Sequence, residues 1–377
     1  MKFIHLADLH IGKRVNEFSM IEDQRYILKK ILQIIRDEQP ECVLISGDIY
    51  DKSIPSSESV TIFDEFLVEL TNCNTKIMAI SGNHDSAERI AFASEIMAKS
   101  DVYMSRVYNG NIEKIELNDQ YGNINFYLLP FIKPTYVRAF FPDAEIHNYN
   151  EAIKTALSVV DLDKADRNIL LAHQFFTGAI TCESEEISVG GSDNVSTETV
   201  EDFDYVALGH IHRPQSVSKD TIRYCGTPLK YSFSEANDIK SVTVVEIAKK
   251  GDLQLRTIPL TPLHDMVKIR GSYEEIIDKT FYQNLNTNDY FHITLTDEED
   301  VFDALDKLRI IYKNIMKLDY DNKRTRHTEH IDASSNIKQK PPIEIVSEFY
   351  NSQNNQELSS EQTEFMKKLI EDIWSEC

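Results

Sequence analysis

Five short segments of this 377-residue chain end in side chains that can bind metal ions or move protons. Asp8-Leu9-His10 follows the apolar run Lys2–Ala7. Gly47-Asp48-Ile49-Tyr50-Asp51 follows Cys42–Ser46, and Gly82-Asn83-His84-Asp85 follows Lys76–Ile80. His173 ends the run that begins at Ile169, and Gly209-His210-Ile211-His212 follows Tyr205–Leu208. One Asp-x-His is ordinary solvated turn chemistry, and Gly-Asp and Gly-Asn pairs are common in turns. Repetition carries the meaning: five of the eleven histidines fall in these segments, each just past an apolar run. The donors are carboxylate, imidazole and amide without thiolate, which suits Mn²⁺, Fe or Zn²⁺ better than Ca²⁺ or a structural zinc site. They are too many for one ion and enough for two. A carboxylate in a Gly-Asp turn can bridge ions ~3.5–4 Å apart, an arrangement that stabilises both attacking and leaving oxygens in displacement at phosphorus. The chemistry expected is hydrolysis of a phosphate ester by metal-activated water.

Such donors need a scaffold that delivers strand ends to one edge. The first 250 residues alternate short apolar runs with helix-period segments, which predicts an α/β fold. The runs above are expected strands, with further strands at Asn125–Leu129 and Val242–Ile247. Helices are expected after a Ser19 cap, with Ile27, Leu28, Ile31, Leu32 and Ile35 buried, and over Ser56–Leu70 and Ser86–Lys99. In a sheet of this kind the carboxyl ends of the strands share one edge, where ligands bind. Past Pro262 the rhythm changes. Strands at Met266–Arg270, Tyr290–Leu295 and Ile315–Leu318, with helices over Tyr273–Leu285 and Glu298–Tyr312, predict a small second domain. Residues 327–342 are polar, end in Pro341-Pro342 and predict a linker. Two amphipathic helices, Ile343–Tyr350 and Glu361–Trp374, complete the chain.

Composition bounds these readings. Hydrophobic residues at 41% and charged residues at 27% argue for a globular protein. No apolar run approaches the ~18 residues of a membrane span. The N-terminus meets His5 and Asp8 too early for a secretory signal. Five cysteines, at 42, 73, 182, 225 and 377, form no CxxC pair, so a reducing cytoplasmic compartment is expected. Forty basic against 62 acidic residues give a formal charge of −22, which by itself opposes nucleic-acid binding. The imbalance extends through residues 1–270 (28 against 40) and 271–377 (12 against 22) alike.

The order D-x-H, G-D-x-x-D, G-N-H-D, H, G-H-x-H resembles the calcineurin-like metallophosphoesterase superfamily. That resemblance implies a β-sandwich flanked by helices, in which Asp8, His10, Asp48 and His212 hold one ion. Asp48, bridging, with Asn83, His173 and His210 would hold a second. It further implies that His84, not a ligand, protonates the leaving oxygen, and that Asp51 orients His84.

Flanking residues narrow the resemblance. His10-Ile11-Gly12-Lys13-Arg14, Leu170-Leu171-Ala172-His173-Gln174-Phe175, Ser184-Glu185, Val189-Gly190-Gly191, His210-Ile211-His212-Arg213-Pro214-Gln215, Tyr224-Cys225-Gly226-Thr227-Pro228 and Tyr231-Ser232-Phe233-Ser234-Glu235 resemble the SbcD family of bacterial nuclease subunits over the whole chain. Archaeal and eukaryotic members usually have histidine at the place of Asp51 and Gly-Ser-Pro at that of Gly226-Thr227-Pro228. The resemblance implies a nuclease domain over residues 1–262, a capping domain over 263–326, the linker 327–342, and helices over 343–377 that dock on the coiled coil of an SbcC-type ATPase. The implied activity is Mn²⁺- or Mg²⁺-dependent double-strand exonuclease and single-strand or hairpin endonuclease action in DNA repair, recombination and replication, in a nucleoid-associated heterotetramer of two of each chain. Lys13, Arg14, Lys52 and Arg213, with the Lys323, Arg324 and Arg326 cluster, are candidate DNA-backbone contacts. A homodimer is expected through Ile62, Phe63, Phe66 and Leu67 on one helix and Ile90, Phe92, Ala93 and Met97 on the next. Two alternatives compete, a small-molecule phosphodiesterase or phosphatase on the same fold and a non-catalytic scaffold. The Asp51-Lys52-Ser53 continuation, where protein phosphatases carry Asp-Arg-Gly, opposes the former, and the full ligand set with His84 opposes the latter.

Overall fold

The computed structural model describes residues 1–185, 193–322, 325, 342–354 and 357–375. Val189-Gly190-Gly191, the Lys323, Arg324 and Arg326 cluster, and the expected linker up to residue 341 lie outside them. The chain begins with β1 (Lys2–Leu6), a two-residue hairpin of β2 (Arg14–Val15) and β3 (Phe18–Ser19), and α1 (Ile21–Glu38). There follow β4 (Cys42–Ser46), α2 (Ser57–Asn72), β5 (Lys76–Ile80), the short helices α3 (Ala87–Ile90) and α4 (Ser94–Met97), and β6 (Val102–Met104). Next come β7 (Glu113–Asp119), β8 (Gly122–Leu129), α5 (Pro134–Arg138), α6 (Tyr149–Ser158), β9 (Arg167–His173) and β10 (Tyr205–Gly209). After these the chain forms β11 (Gln215–Val217), β12 (Lys219–Tyr224), β13 (Ser241–Ile247), β14 (Leu253–Pro259) and β15 (Met266–Gly271). Finally come α7 (Tyr273–Ile277), α8 (Lys279–Tyr282), β16 (Tyr290–Leu295), α9 (Ala304–Arg309), β17 (Asn314–Tyr320) and helices over Pro342–Asn354 and Ser360–Ser375.

Two six-stranded sheets, β14-β13-β1-β4-β5-β6 and β11-β12-β10-β9-β8-β7, form the sandwich. In the first, β1, β4, β5 and β6 run parallel, and in the second β8, β9, β10 and β12 do. The period of two in each strand explains the layers. Phe3 and Leu44 face inward against Phe126, Leu171 and Tyr205 of the other sheet. Ile4, Val43 and Ile45 face outward and pack under Ile27, Ile31 and Ile35 of α1 and Ile62, Phe63 and Phe66 of α2. On the far side, Leu170, Val206 and Leu208 pack under Val137 of α5 and Ile153 of α6.

The chain divides into two compact units. One comprises Met1–Lys268, Asn286–His292 and Tyr312–Lys317, and the other Ile269–Leu285, Ile293–Ile311 and Leu318–Cys377. Strands β15, β16 and β17 pair in that order as a third sheet. In the second unit Ser272 and Glu275 close a reciprocal capping box on α7. The two C-terminal helices of that unit pack on each other. Phe349 and Phe365 on them are each 66% exposed.

Several expectations change. The N-cap of α1 is Met20, with no side-chain cap, rather than Ser19, which sits in the β3 hairpin. The expected helix over Ser86–Lys99 is broken, because Ala93 adopts a left-handed φ of 59° that ends the hydrogen-bond ladder between α3 and α4. Only α9 forms within Glu298–Tyr312. The apolar residues thought spare for a dimer largely belong to the core: Ile62, Phe63, Phe66 and Ile90 are buried against the first sheet, and Leu67 and Met97 pack partly onto it. What these segments expose is Val60, Val68, Phe92 and Ile96.

One buried cation ties the far end of the sandwich together. Arg167 at the start of β9 donates to both carboxylate oxygens of Asp119 (2.6 and 3.0 Å), to the Gly122 carbonyl (2.7 Å) and to the Ala248 carbonyl (2.8 Å). Arg167→Met would take this donor from the Gly122 and Ala248 carbonyls and leave Asp119 to the Met1 ammonium and the Tyr121 amide, and a loss of roughly 3 kcal/mol is expected, as for other broken buried pairs. Urea unfolding checks this, and a loss below ~1 kcal/mol would show that the network is dispensable.

Candidate metal centre

The five chemistry-bearing segments leave the carboxyl ends of β1, β4, β5, β9 and β10 and converge. Main-chain bonds continue the parallel pairing of β1 and β4 beyond the strands: Asp8 N–H to the Gly47 carbonyl (3.0 Å) and His10 N–H to the Asp48 carbonyl (2.9 Å). Asp8, His10, Asp48 and His210 all take left-handed φ values, of 54°, 43°, 49° and 99°. Strain of this kind concentrates at functional sites, where surrounding structure must hold it. Two glycines permit the crowding. A Cβ on Gly209 would lie 1.9 Å from the Ser46 carbonyl oxygen, and one on Gly82 would lie 2.1 Å from Asp48 Oδ1.

Each carboxylate is aimed by a backbone amide. Asp8 Oδ1 accepts from His210 N–H at 2.9 Å, and its buried Oδ2 has no hydrogen-bond partner among the described residues. Asp48 Oδ1 accepts from His84 N–H at 2.9 Å, and its Oδ2 sits 3.6 Å from His10 Nε2 and 3.3 Å from His173 Nε2. Asp48 is thus the residue between the two halves of the cluster. His173 Nδ1 donates to the Ser46 carbonyl (2.8 Å), which leaves Nε2 facing Asn83 Oδ1 at 3.0 Å. His210 Nδ1 lies 3.0 Å from the same amide oxygen. His10 Nε2 and His212 Nε2 face each other at 3.1 Å. Three sets of donors therefore meet: Asp8, His10 and His212; Asp8, Asp48 and His173; and His10, Asp48 and His84.

The electrostatics fit a cation. Burial holds the Asp8 carboxyl well above the usual range, against the attraction of His173. At Asp48 the burial penalty is exceeded by the attraction of His173, His10 and His84, and the carboxyl falls well below its ordinary value. Burial pushes His10 and His212 far down and His210 to about 4, so these imidazoles are neutral with lone pairs available. His173 rises to about 9, because the Asp48 charge outweighs its burial. The neutral imidazoles of His10, His210 and His212, and an Asp8 Oδ2 and His10 Nδ1 that make no hydrogen bond among the described residues, suit divalent ions, whereas His173 must give up its proton to bind one.

His84 stands beside the cluster, its ring 4.8 Å from that of His10 and nearly perpendicular. Its Nδ1 lies 3.0 Å from the carbonyl oxygen of Asp51, so that nitrogen carries the proton and donates. This corrects the expectation for Asp51. Its carboxylate does not touch His84 but pairs with Lys13 at 2.8 Å, and the orienting group is the main chain. The candidate DNA cations divide likewise. Lys13 is taken by Asp51, Arg213 Nε pairs with Asp238 at 3.0 Å, and Arg14 donates to the Glu17 carbonyl. Lys52 is exposed and has no ion pair among the described residues.

Sequence reasoning overlooked three supports. Asp85 is buried and accepts from the amides of Ile49, Tyr50 and Gly82 (3.1, 2.9 and 2.9 Å), stitching the β4 loop to the β5 loop. Burial and then the Asp48 charge push its carboxyl up to about 6 despite these bonds. His212 Nδ1 donates to Ser184 Oγ (2.6 Å), which donates to the buried Glu235 (2.7 Å), itself paired with buried Lys240. Gln24 of α1 donates to the His10 carbonyl (2.7 Å) and to Tyr231 Oη (3.0 Å), and Tyr231 donates to the Leu9 carbonyl (2.7 Å). The available signal was a charged or amide side chain amid apolar or turn residues, as at Asp85 and Gln24.

Comparison with known proteins gives the family. The family model described as calcineurin-like phosphoesterase matches residues 1–214, and that of the type 5 capsule protein repressor C-terminal domain matches residues 262–354. The SbcD subunit of the SbcCD nuclease of Staphylococcus epidermidis is 35% identical over 375 residues, covering 98% of each chain. Its counterpart from Staphylococcus saprophyticus is 32% identical over 378 residues with the same coverage. Among solved structures, a dimetal phosphatase from Danio rerio aligns with a TM-score of 0.41 at 12% identity, over 68% of this chain and 95% of that one. Matched over more than half its length by the phosphoesterase model, and nearly end to end by both staphylococcal proteins, the chain belongs to the SbcD family of calcineurin-like phosphoesterases.

Proposed function

We propose that this chain is the nuclease subunit of an SbcCD-type complex, hydrolysing DNA phosphodiesters with two divalent ions, Mn²⁺ foremost. The observation that carries the reading is the convergence of seven donors, two of whose buried atoms make no hydrogen bond among the described residues, beside a histidine whose Nδ1 is held by the main chain. Asp8, His10, Asp48 and His212 would hold one ion, and Asp48, Asn83, His173 and His210 the other. In that place divalent ions would supply charge neutralisation at the phosphate and a lowered pKa for a bound water. Asp48 suits the shared position because its Oδ1 is occupied by the His84 amide and its Oδ2 faces both His10 and His173. His84, with its Nδ1–H committed to the Asp51 carbonyl, presents Nε2 to bind and protonate the departing oxygen. Duplex exonuclease and hairpin endonuclease action, in repair, recombination and replication in the cytoplasm, follow from the same reading. Lys52, and divalent ions once bound, would add positive charge where DNA meets the site of a chain whose formal charge is −22.

The C-terminal helices would dock on the coiled coil of an SbcC-type ATPase, and residues 263–326 would cap the nuclease domain. Phe349, Phe365 and Leu369 are exposed on those helices, the apolar face a helix-in-groove contact needs.

Asp48→Ala and His84→Ala are expected to fail differently. The first should lose bound metal together with activity. The second should keep its metal while losing roughly 10²–10⁴-fold in rate, the usual range for a general acid. Metal analysis beside nuclease rates decides it, and equal metal loss in both variants would make His84 a ligand. Truncation after Gln339 should leave Mn²⁺-dependent nuclease activity intact and abolish co-purification with the ATPase. Unchanged ATPase binding, or unfolding of the truncated chain, would remove the docking role from these helices.

A further inference from the structure

A cleft of about 640 Å³ opens beside the metal centre, with Gly82, Asn83 and Asp85 among its lining residues. That size falls in the roughly 300–1,000 Å³ range of small-ligand sites. Tyr136 and Phe140, on and just past α5, line it and are 49% and 48% exposed, the Phe140 ring packing edge-to-face on Tyr108 at 5.8 Å while half of its surface stays open. Phe131 lines it too, with its ring edge-on to the His173 imidazole at 6.2 Å. Tyr108 lines the same cleft and is only 8% exposed, yet its buried hydroxyl has no hydrogen-bond partner among the described residues. Arg89 and Lys133 bring two exposed cations without ion pairs among the described residues. Two carboxylates oppose them. Glu88, at the rim, accepts from Ser86 Oγ at 2.8 Å, and Asp85 is engaged by three backbone amides.

We propose that this cleft seats one unstacked nucleobase of the strand being cut; the inference rests on the nuclease reading above. Exposed rings offer a π-face to any base, and a base inside a duplex has both faces covered by its neighbours. The unsatisfied Tyr108 hydroxyl can donate to or accept from a base edge, and Arg89 and Lys133 suit the flanking phosphates. Asn83 is shared between the cleft and the candidate ligands, so a base held here belongs to a nucleotide at or next to the scissile phosphate.

The test compares kcat/KM of the full chain with Mn²⁺ on a single-stranded oligothymidylate and on the same backbone carrying abasic tetrahydrofuran residues. The wild type is expected to favour the base-bearing strand by about tenfold or more, the contribution of one stacked base. In the double variant Tyr136→Ala, Phe140→Ala that ratio should collapse toward one. Equal cleavage of both strands by the wild type, or an unchanged ratio in the variant, overturns the proposal. A variant that fails to fold leaves the wild-type comparison to decide. If the wild type hydrolyses bis(4-nitrophenyl) phosphate but neither oligonucleotide, the nuclease reading has failed and this one with it. That result differs from DNA cleavage without preference, which removes the base-binding cleft alone.

Discussion

The structure depends on main chain closely approaching main chain where β4 of one sheet meets β10 of the other, a contact that Ser46 fastens by donating its Oγ–H to the Ala207 carbonyl at 2.9 Å. At Gly209 there is no room for a Cβ, because the Ser46 carbonyl stands where one would be. That contact lets His173, on the strand next to β10, reach the Ser46 carbonyl with its Nδ1. It also brings the His210 amide onto Asp8, at the end of β1 beside β4. The two sheets are thus joined by hydrogen bonds at the site, as they are at the far end by Arg167 and between them by the His5–Tyr205 bond, with apolar packing filling most of the area between. Any displacement of the sheets alters donor distances before it alters the core, so the precision of the centre derives from the sandwich.

The same crowding imposes an electrostatic problem. Two carboxylates and several imidazoles are held out of water, and burial works against charge on each of them. Without positive ions, proton sharing is the available remedy: Asp48 keeps its charge through His173, while Asp8 is pushed toward its neutral form. Four left-handed site residues add backbone strain to this cost. Such an arrangement persists because the supports around it are satisfied. Asp85, Gln24, Ser184 and Glu235 spend their hydrogen bonds on loop amides, loop carbonyls and one ligand imidazole. The fold stabilises the centre from outside and leaves the interior atoms for cations.

Much of this was legible because parallel strands buried on both faces write themselves as short apolar runs, and ligands cluster after them. Runs such as Cys42–Ser46 and Lys76–Ile80 were bounded correctly for that reason. Strands β7 and β14 escaped notice because they alternate exposed and half-buried positions, with charged residues on the open face. The break at Ala93 was invisible because alanine favours helix, and tertiary packing overrode that preference. Tertiary burial also reassigned Ile62, Phe63 and Phe66, since amphipathicity shows that a helix has an apolar face but not what covers it. Carboxylates with supporting duties, Asp85 and Glu235, look in sequence like any turn or surface acid. Only the surrounding amides and Lys240 reveal their work.

Asp51 shows how a side-chain expectation can mislead while its position remains right. The residue stands beside His84 and orients it, but through an atom that every amino acid possesses. The requirement at this position is therefore on the backbone path, which Ile11 helps to fix by accepting from the Asp51 amide at 3.2 Å. The carboxylate is free to serve another purpose, and here it holds Lys13. A position constrained in its main chain and free in its side chain can change residue type without loss of the catalytic geometry. The orientation of His84 does not require the Asp51 side chain, because the bond it makes is to the main chain.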